Sequence, residues 1–215
     1  ILKRLGYGAK VLIFDNPSEP WAREPFRILG LDKVSRTKVL SAFLLALKKV
    51  NLVEWAEELA RRTRPLEANP GESDRTLRLA LKLIDRAEGW DELCRAKTEV
   101  RESFRAIERN GHRDLVRVGI VGEIYMVVEP NLNLRVEEKL GRIGAVVDRR
   151  GVGMLKYILA DRNLDFFRRP TGHSAKRMAR PYLRHHCGGE SSYSVGYSVH
   201  YAKKGYDGVV HILPL

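Results

Sequence analysis

A glutamate follows one of the most apolar runs in the chain. Leu115-Val116-Arg117-Val118-Gly119-Ile120-Val121 reads as a strand, and Gly122-Glu123-Ile124-Tyr125 comes directly after it. A glycine at a strand end lets backbone approach a ligand closely. In open parallel sheets, ligands bind outside the carboxyl ends of the strands. Gly122, Glu123 and Tyr125 are therefore the first ligand-binding candidates. The spacing is not G-x-G-x-x-G, so a dinucleotide fingerprint is not met. A turn glycine followed by a solvated glutamate would leave the same trace.

The second candidate is His185-His186-Cys187-Gly188-Gly189-Glu190-Ser191-Ser192, just ahead of a helix. Gly188, Gly189 and Ser191 at a helix start offer free backbone N–H groups and the positive end of the helix dipole, which suit a phosphate or carboxylate. His185, His186 and Cys187 are adjacent, and neighbouring side chains on an extended chain point to opposite faces. One metal ion would rarely take all three, so no metal site is expected. A plain glycine turn with a half-buried thiol is the simpler account.

Between these lies a basic stretch, residues 149–184. Ten cationic side chains face only Asp161 and Asp165, for a net +8, with Phe166, Phe167 and Tyr182 interleaved. Arg149, Arg150, Arg168 and Arg169 are the candidates for gripping phosphates, either of a nucleic-acid backbone or of a nucleotide-bearing small molecule. A solvated face is the ordinary outcome of such a run. No Ser–His–Asp order, P-loop, H-E-x-x-H or C-x-x-C occurs, and no catalytic residue can be named. Cys94 lies beside the apolar face of its helix and reads as core filler.

Composition limits the field. The chain has 215 residues, 44% hydrophobic and 31% charged, enough for a real core without staples. No run of about 18 apolar residues occurs, which excludes a transmembrane helix. No basic segment followed by an apolar stretch opens the chain, so no secretory leader is expected. Two cysteines exclude a disulfide scaffold, favour a reducing compartment such as the cytoplasm, and cannot supply four thiolates to a metal centre. The net charge of +12 favours anionic partners without choosing among them.

Three regions must position these residues. Residues 1–32 hold one strand candidate, 10–14, and read as the end of a preceding α/β segment. Residues 33–113 read as helical. Val39, Leu40, Phe43, Leu44 and Leu47 recur at helical spacing, Asn51 with Glu54 resembles a capping box, and Arg64-Pro65 ends the helix. After the loop 65–72, Ser73 is expected to cap a helix bearing Leu77, Ala80, Leu81 and Ile84. A further helix carries Leu93, Ala96, Val100, Phe104 and Ile107. Residues 114–215 alternate strand and helix: strand 115–121, a helix capped by Asn133, strand 145–148, helices near 152–159 and 174–179, helix 191–204 and strand 209–213. This order with short loops means a parallel sheet flanked by helices, an α/β domain. The apolar run 209–215 reads as a buried strand, which normally continues into a loop and covering helix. The chain, which starts at Ile1, is thus expected to be a fragment of a longer protein.

Four stretches, in order, resemble one family. They are Arg64-Pro65-Leu66-Glu67 with Asn69-Pro70-Gly71-Glu72, where Leu66 replaces a tyrosine; Val118-Gly119-Ile120-Val121-Gly122-Glu123-Ile124-Tyr125 with Pro130, Asn131 and Asn133; Ala179-Arg180-Pro181-Tyr182-Leu183; and Tyr201-Ala202-Lys203-Lys204-Gly205-Tyr206-Asp207-Gly208-Val209. Together they are similar to the D-component-like proteins of the 2-hydroxyacyl-CoA dehydratase group, activase-related iron–sulfur proteins. The resemblance implies a Rossmann-like domain, a [4Fe–4S] cluster in the full-length family, acyl-CoA as substrate and an activase module or partner subunit. Catalytic members remove water from 2-hydroxyacyl-CoA after one-electron reduction. The family's cluster cysteines are expected outside this chain, so the chain alone binds no cluster and is expected to be inactive. Gly122, Glu123 and the Gly188-Gly189 turn are the positions placed near the shared site. The competing readings are a non-catalytic accessory or scaffold relative and, from charge alone, a nucleic-acid-binding protein, which is the least favoured.

Overall fold

The structure is a computed structural model and describes residues 34–110, 114–149, 172–183, 185 and 191–214. The strand expected at 10–14 and the helix near 152–159 lie outside the described residues. The chain divides into two compact units, Ile1–Ala46 and Leu47–Leu215. In the first, the described part is the opening of helix α1 (Arg36–Thr63), where Leu40, Phe43 and Leu44 are exposed.

The second unit begins with the rest of α1. This helix runs straight through Asn51, so the Asn51/Glu54 pattern does not start a new one. Leu52, Ala56 and Ala60 are buried at four-residue intervals, a single stripe along one side. The helix stops at Thr63, one residue before Arg64, which Pro65 disfavours in the α conformation; a 3-10 turn, Arg64–Leu66, follows.

Helix α2 (Glu72–Arg86) buries Ala80 and Ile84 as its spacing predicts. Its expected cap is corrected. Ser73 lies inside the helix, its side chain caps nothing, and Gly71 occupies the cap position. The capping is done by Glu67 from the preceding turn. One carboxylate oxygen accepts the Gly71 N–H and the other accepts the Ser73 N–H, each at 2.6 Å. A carboxylate here also meets the positive end of the helix dipole.

Helix α3 (Trp90–Ala106) buries Leu93, Ala96, Val100 and Phe104 in one stripe and packs on α2. Cys94 is a second correction: it is exposed, not core. One residue beyond Leu93 turns the side chain by about 100° round the helix, past the edge of the stripe.

The remainder is mixed α/β. Strand β1 (Val116–Gly122) is followed by helices α4 (Ile124–Val128) and α5 (Val136–Arg142), then strand β2 (Ala145–Asp148). Helices α6 (Gly172–Ala179) and α7 (Ser191–Lys203) precede strand β3 (Gly208–Ile212). The three strands form an open sheet, all parallel, in the order β2-β1-β3. Val118 pairs with Val147 on one side and with Gly208 on the other.

Alternation along β1 sends Ile120 and Val121 to opposite faces. Ile120 joins Val127 and Val147 under α4 and α5. Val121 joins Ala175, Tyr197 and Tyr201 under α6 and α7. Each such fully buried aliphatic side chain contributes about 1.5–3 kcal/mol. The Tyr201 ring lies directly on Gly119, where a Cβ would meet it.

Two expectations change here. Strand β3, expected to be buried on both faces, lies at one margin of the described sheet. Val210 and Ile212 pack toward the Ile120 cluster, while Val209 and His211 are exposed. Asn133 is not the cap residue of α5, a position Arg135 takes with φ 56°. Its side chain still accepts the Val136 N–H at 3.3 Å and donates to the Met126 and Val127 carbonyls, joining α4 to α5. No described helix is long and apolar enough to cross a membrane.

Candidate functional site

The carboxyl end of β1 is built around Gly122. Its φ of 145° is outside the range that L side chains adopt readily, and a Cβ would run into the Ile212 carbonyl. Only glycine lets β1 turn here while remaining against β3. The next residue continues the join: the Glu123 N–H donates to the Ile212 carbonyl at 3.1 Å. The carboxyl ends of β1 and β3 meet at this boundary, and ligands of open parallel sheets bind outside such strand ends. Gly122 and Glu123 stand at that boundary.

Glu123 has a local task as well. Its side chain accepts the Met126 N–H at 2.8 Å and so caps α4. This fixes the carboxylate at the strand end. Tyr125 follows in the first turn of α4 and is 63% exposed. The corner thus offers a held hydrogen-bond acceptor and a solvent-facing phenol, a pairing suited to a polar, hydroxyl-bearing ligand.

Ser191 is the first residue of α7 and half-buried. Gly188 and Gly189 lie outside the described residues, as do Arg150, Arg168 and Arg169. Arg149 is described, and it is buried. Its guanidinium pairs with Glu57 on α1 and, through Nε at 3.0 Å, with Glu137 on α5. Those carboxylates account for Arg149 without a phosphate. Burial opposes its charge, but Glu137 and Glu57 outweigh that and raise its pKa. Burial also raises the pKa of Glu57, despite the pull of Arg149 and Arg61.

Two groups of polar residues escaped the sequence reading. In the first, Arg64 is buried and donates through Nε to Asp74 at 2.8 Å, and Arg142 reaches the second oxygen of Asp74 at 3.2 Å. Glu67 bridges antiparallel to Arg109, and the Leu66 carbonyl accepts the Asn110 N–H at 2.8 Å. The segment 64–74 is therefore a structural hub in which Arg64 pairs with Asp74 and Glu67 caps α2. In the second, the Tyr206 hydroxyl donates to the Asp148 carboxylate at 2.6 Å, and that of Tyr201 to the Asp148 carbonyl at 3.0 Å. The signal available was chemical: an arginine and a glutamate bracketing Pro65, and an aspartate ending β2.

Among the described residues no group of three His, Cys, Asp or Glu is arranged to hold a metal ion. Comparison with family models, curated proteins and solved structures returns no match to this chain.

Proposed function

We propose that this chain is a Rossmann-like domain of an iron–sulfur protein related to the D component of 2-hydroxyacyl-CoA dehydratases, acting on a CoA thioester with an activase module or partner subunit. The observation that carries the reading is the Gly122-Glu123 corner at the β1/β3 boundary of a parallel 2-1-3 sheet. It lies within one of the four stretches that carry the family resemblance, at the edge where parallel sheets take ligands. In this reading Glu123 and Tyr125 hold the polar end of the acyl group. Gly188, Gly189 and Ser191 offer backbone N–H groups, and Arg150, Arg168 and Arg169 meet the phosphates of coenzyme A.

The chain's own donors do not fit a [4Fe–4S] cluster. Cys94 stands exposed on α3, Cys187 lies outside the described residues, and two thiolates cannot make four ligands. The part assigned to this chain is binding and positioning.

One observation favours a second reading, the non-catalytic accessory relative. The Glu123 carboxylate is engaged as a helix cap and Arg149 in ion pairs, so two of the residues singled out for chemistry have structural tasks. Anaerobic purification of the whole gene product separates the two. A brown protein with about four iron and four sulfide per chain, whose CoA affinity falls in an Arg150→Ala/Arg168→Ala/Arg169→Ala variant, supports the first. A colourless protein indifferent to CoA supports the second. Binding to DNA or RNA that falls steeply with salt would overturn both.

A further inference from the structure

A cavity of about 370 Å³ opens between α1 and α3 and draws no residue from the sheet. Its base is apolar, from the buried side chains of Leu52 and Leu93. Two indoles, Trp55 and Trp90, add flat aromatic surface, Trp90 being 46% exposed. The charge on the lining is of one sign. Lys48, Lys97 and Arg101 contribute to it and no carboxylate does.

The two cations that α3 lends to the lining both lie near one indole. Lys97 Nζ lies 5.9 Å from the centroid of the Trp55 ring, and the guanidinium carbon of Arg101 lies 5.7 Å from it. Among the described residues neither is paired with a carboxylate. An indole face attracts a cation by about 0.5–1 kcal/mol at an exposed site, yet leaves its charge uncompensated and its N–H groups free to donate. An anion entering the cavity would gain charge-assisted hydrogen bonds without breaking an ion pair. A flat ring entering with it would gain contact with the indoles.

We propose that this cavity binds a small planar aromatic anion, its ring against Trp55 and Trp90 and its acid group against Lys97, Arg101 and Lys48. The volume lies at the small end of ligand pockets, about 300–1,000 Å³. It suits a one- or two-ring acid. The site is separate from the strand-end corner, and the proposal does not depend on the reading given to that corner.

Cys94 supplies the readout, because its thiol is exposed and lines the same cavity. Alkylation of Cys94 by iodoacetamide in the full chain is followed by peptide mass spectrometry, which separates it from Cys187. Three probes are compared: naphthalene-1-sulfonate, the uncharged 1-naphthalenemethanol, and sulfate. Naphthalene-1-sulfonate should slow the alkylation and quench indole fluorescence, with a Kd at least about tenfold below that of the alcohol. Sulfate at the same concentrations should protect nothing. Lys97→Ala/Arg101→Ala, two exposed positions, should weaken the sulfonate about tenfold or more. The proposal is overturned if the alcohol or sulfate protects as well as the sulfonate, if no probe protects, or if the double variant, with its helical circular dichroism intact, binds unchanged. The three-probe comparison on the unaltered chain decides the matter should that variant not fold.

Discussion

Glu67 accepts the backbone N–H of Ser73 at 2.6 Å and thereby caps a helix from six residues upstream. The same carboxylate takes the Gly71 N–H, so both of its oxygens are spent on the orphan donors of α2. The side chain is buried, and water cannot readily replace it. Glu67→Ala is expected to destabilise the chain by about 2 kcal/mol. Glu67→Gln keeps one acceptor and turns an NH2 toward the other N–H, so it should recover at most about half of that. Urea midpoints followed by circular dichroism measure both. Equal midpoints for all three proteins would contradict the capping role.

Gly122 and Gly144 make an internal contrast. Both have positive φ, 145° and 94°, but a Cβ meets the Ile212 carbonyl at Gly122 and open space at Gly144. Gly144→Ala should cost only the left-handed strain, about 1 kcal/mol. Gly122→Ala adds the clash and must separate β1 from β3, so about 3 kcal/mol or more is expected. Thermal melts of the two variants side by side give the ranking, and a reversed order would refute the account of the strand-end corner.

How much of this was legible follows from where each signal lies. Strand β2 was readable because Ala145-Val146-Val147-Asp148 is a short β-branched run with Gly144 at its start. The end of α7 was readable from Gly205. Helix α4 was not, because Ile124-Tyr125-Met126-Val127-Val128 has the composition of a strand. It becomes a helix through the Gly122 turn and the Glu123 cap, a residue type that seldom caps. The strand-end candidate was visible because glycine and a charge interrupt an apolar run. The commitment of Arg149 was not, because its partner Glu57 is 92 residues away and no local spacing records such a pairing.

That pairing carries its own expectation. Arg149→Met leaves Glu57 and Glu137 facing each other half-buried, with Arg61 as the nearest remaining cation, and should cost about 2–3 kcal/mol at neutral pH. Burial already raises the folded-state pKa of Glu57. A carboxyl with a raised folded pKa binds its proton more tightly in the fold, so its contribution favours the fold in acid and fades as pH rises. Losing Arg149 exaggerates this. The deficit of the variant should therefore shrink as pH falls from neutral through the raised Glu57 value, where the carboxyl takes up its proton. A deficit that grows on acidification would show that Glu57 is not the group left uncompensated.

Tyr206 offers a test at the other end of the pH scale. Its hydroxyl donates to Asp148 at 2.6 Å, and the Arg117 guanidinium lies 4.2 Å from its ring centroid. Burial first, then the bond to Asp148 and its charge, raise the phenol above the ordinary tyrosine range, with Arg117 pulling the other way. The unfolded chain ionises this tyrosine near pH 10 while the folded chain still holds the proton. Its contribution to stability is therefore whole below about pH 10 and is lost as pH rises through the folded value. In an absorbance titration of the eight tyrosines, one late phenol should vanish in Tyr206→Phe. The same variant should lose about 1–2 kcal/mol at neutral pH, because Asp148 forfeits a charge-assisted donor. Its stability should then fall less steeply above about pH 10 than that of the unaltered chain. A titration that keeps every late phenol in the variant would place the proton elsewhere and remove Asp148 as the cause.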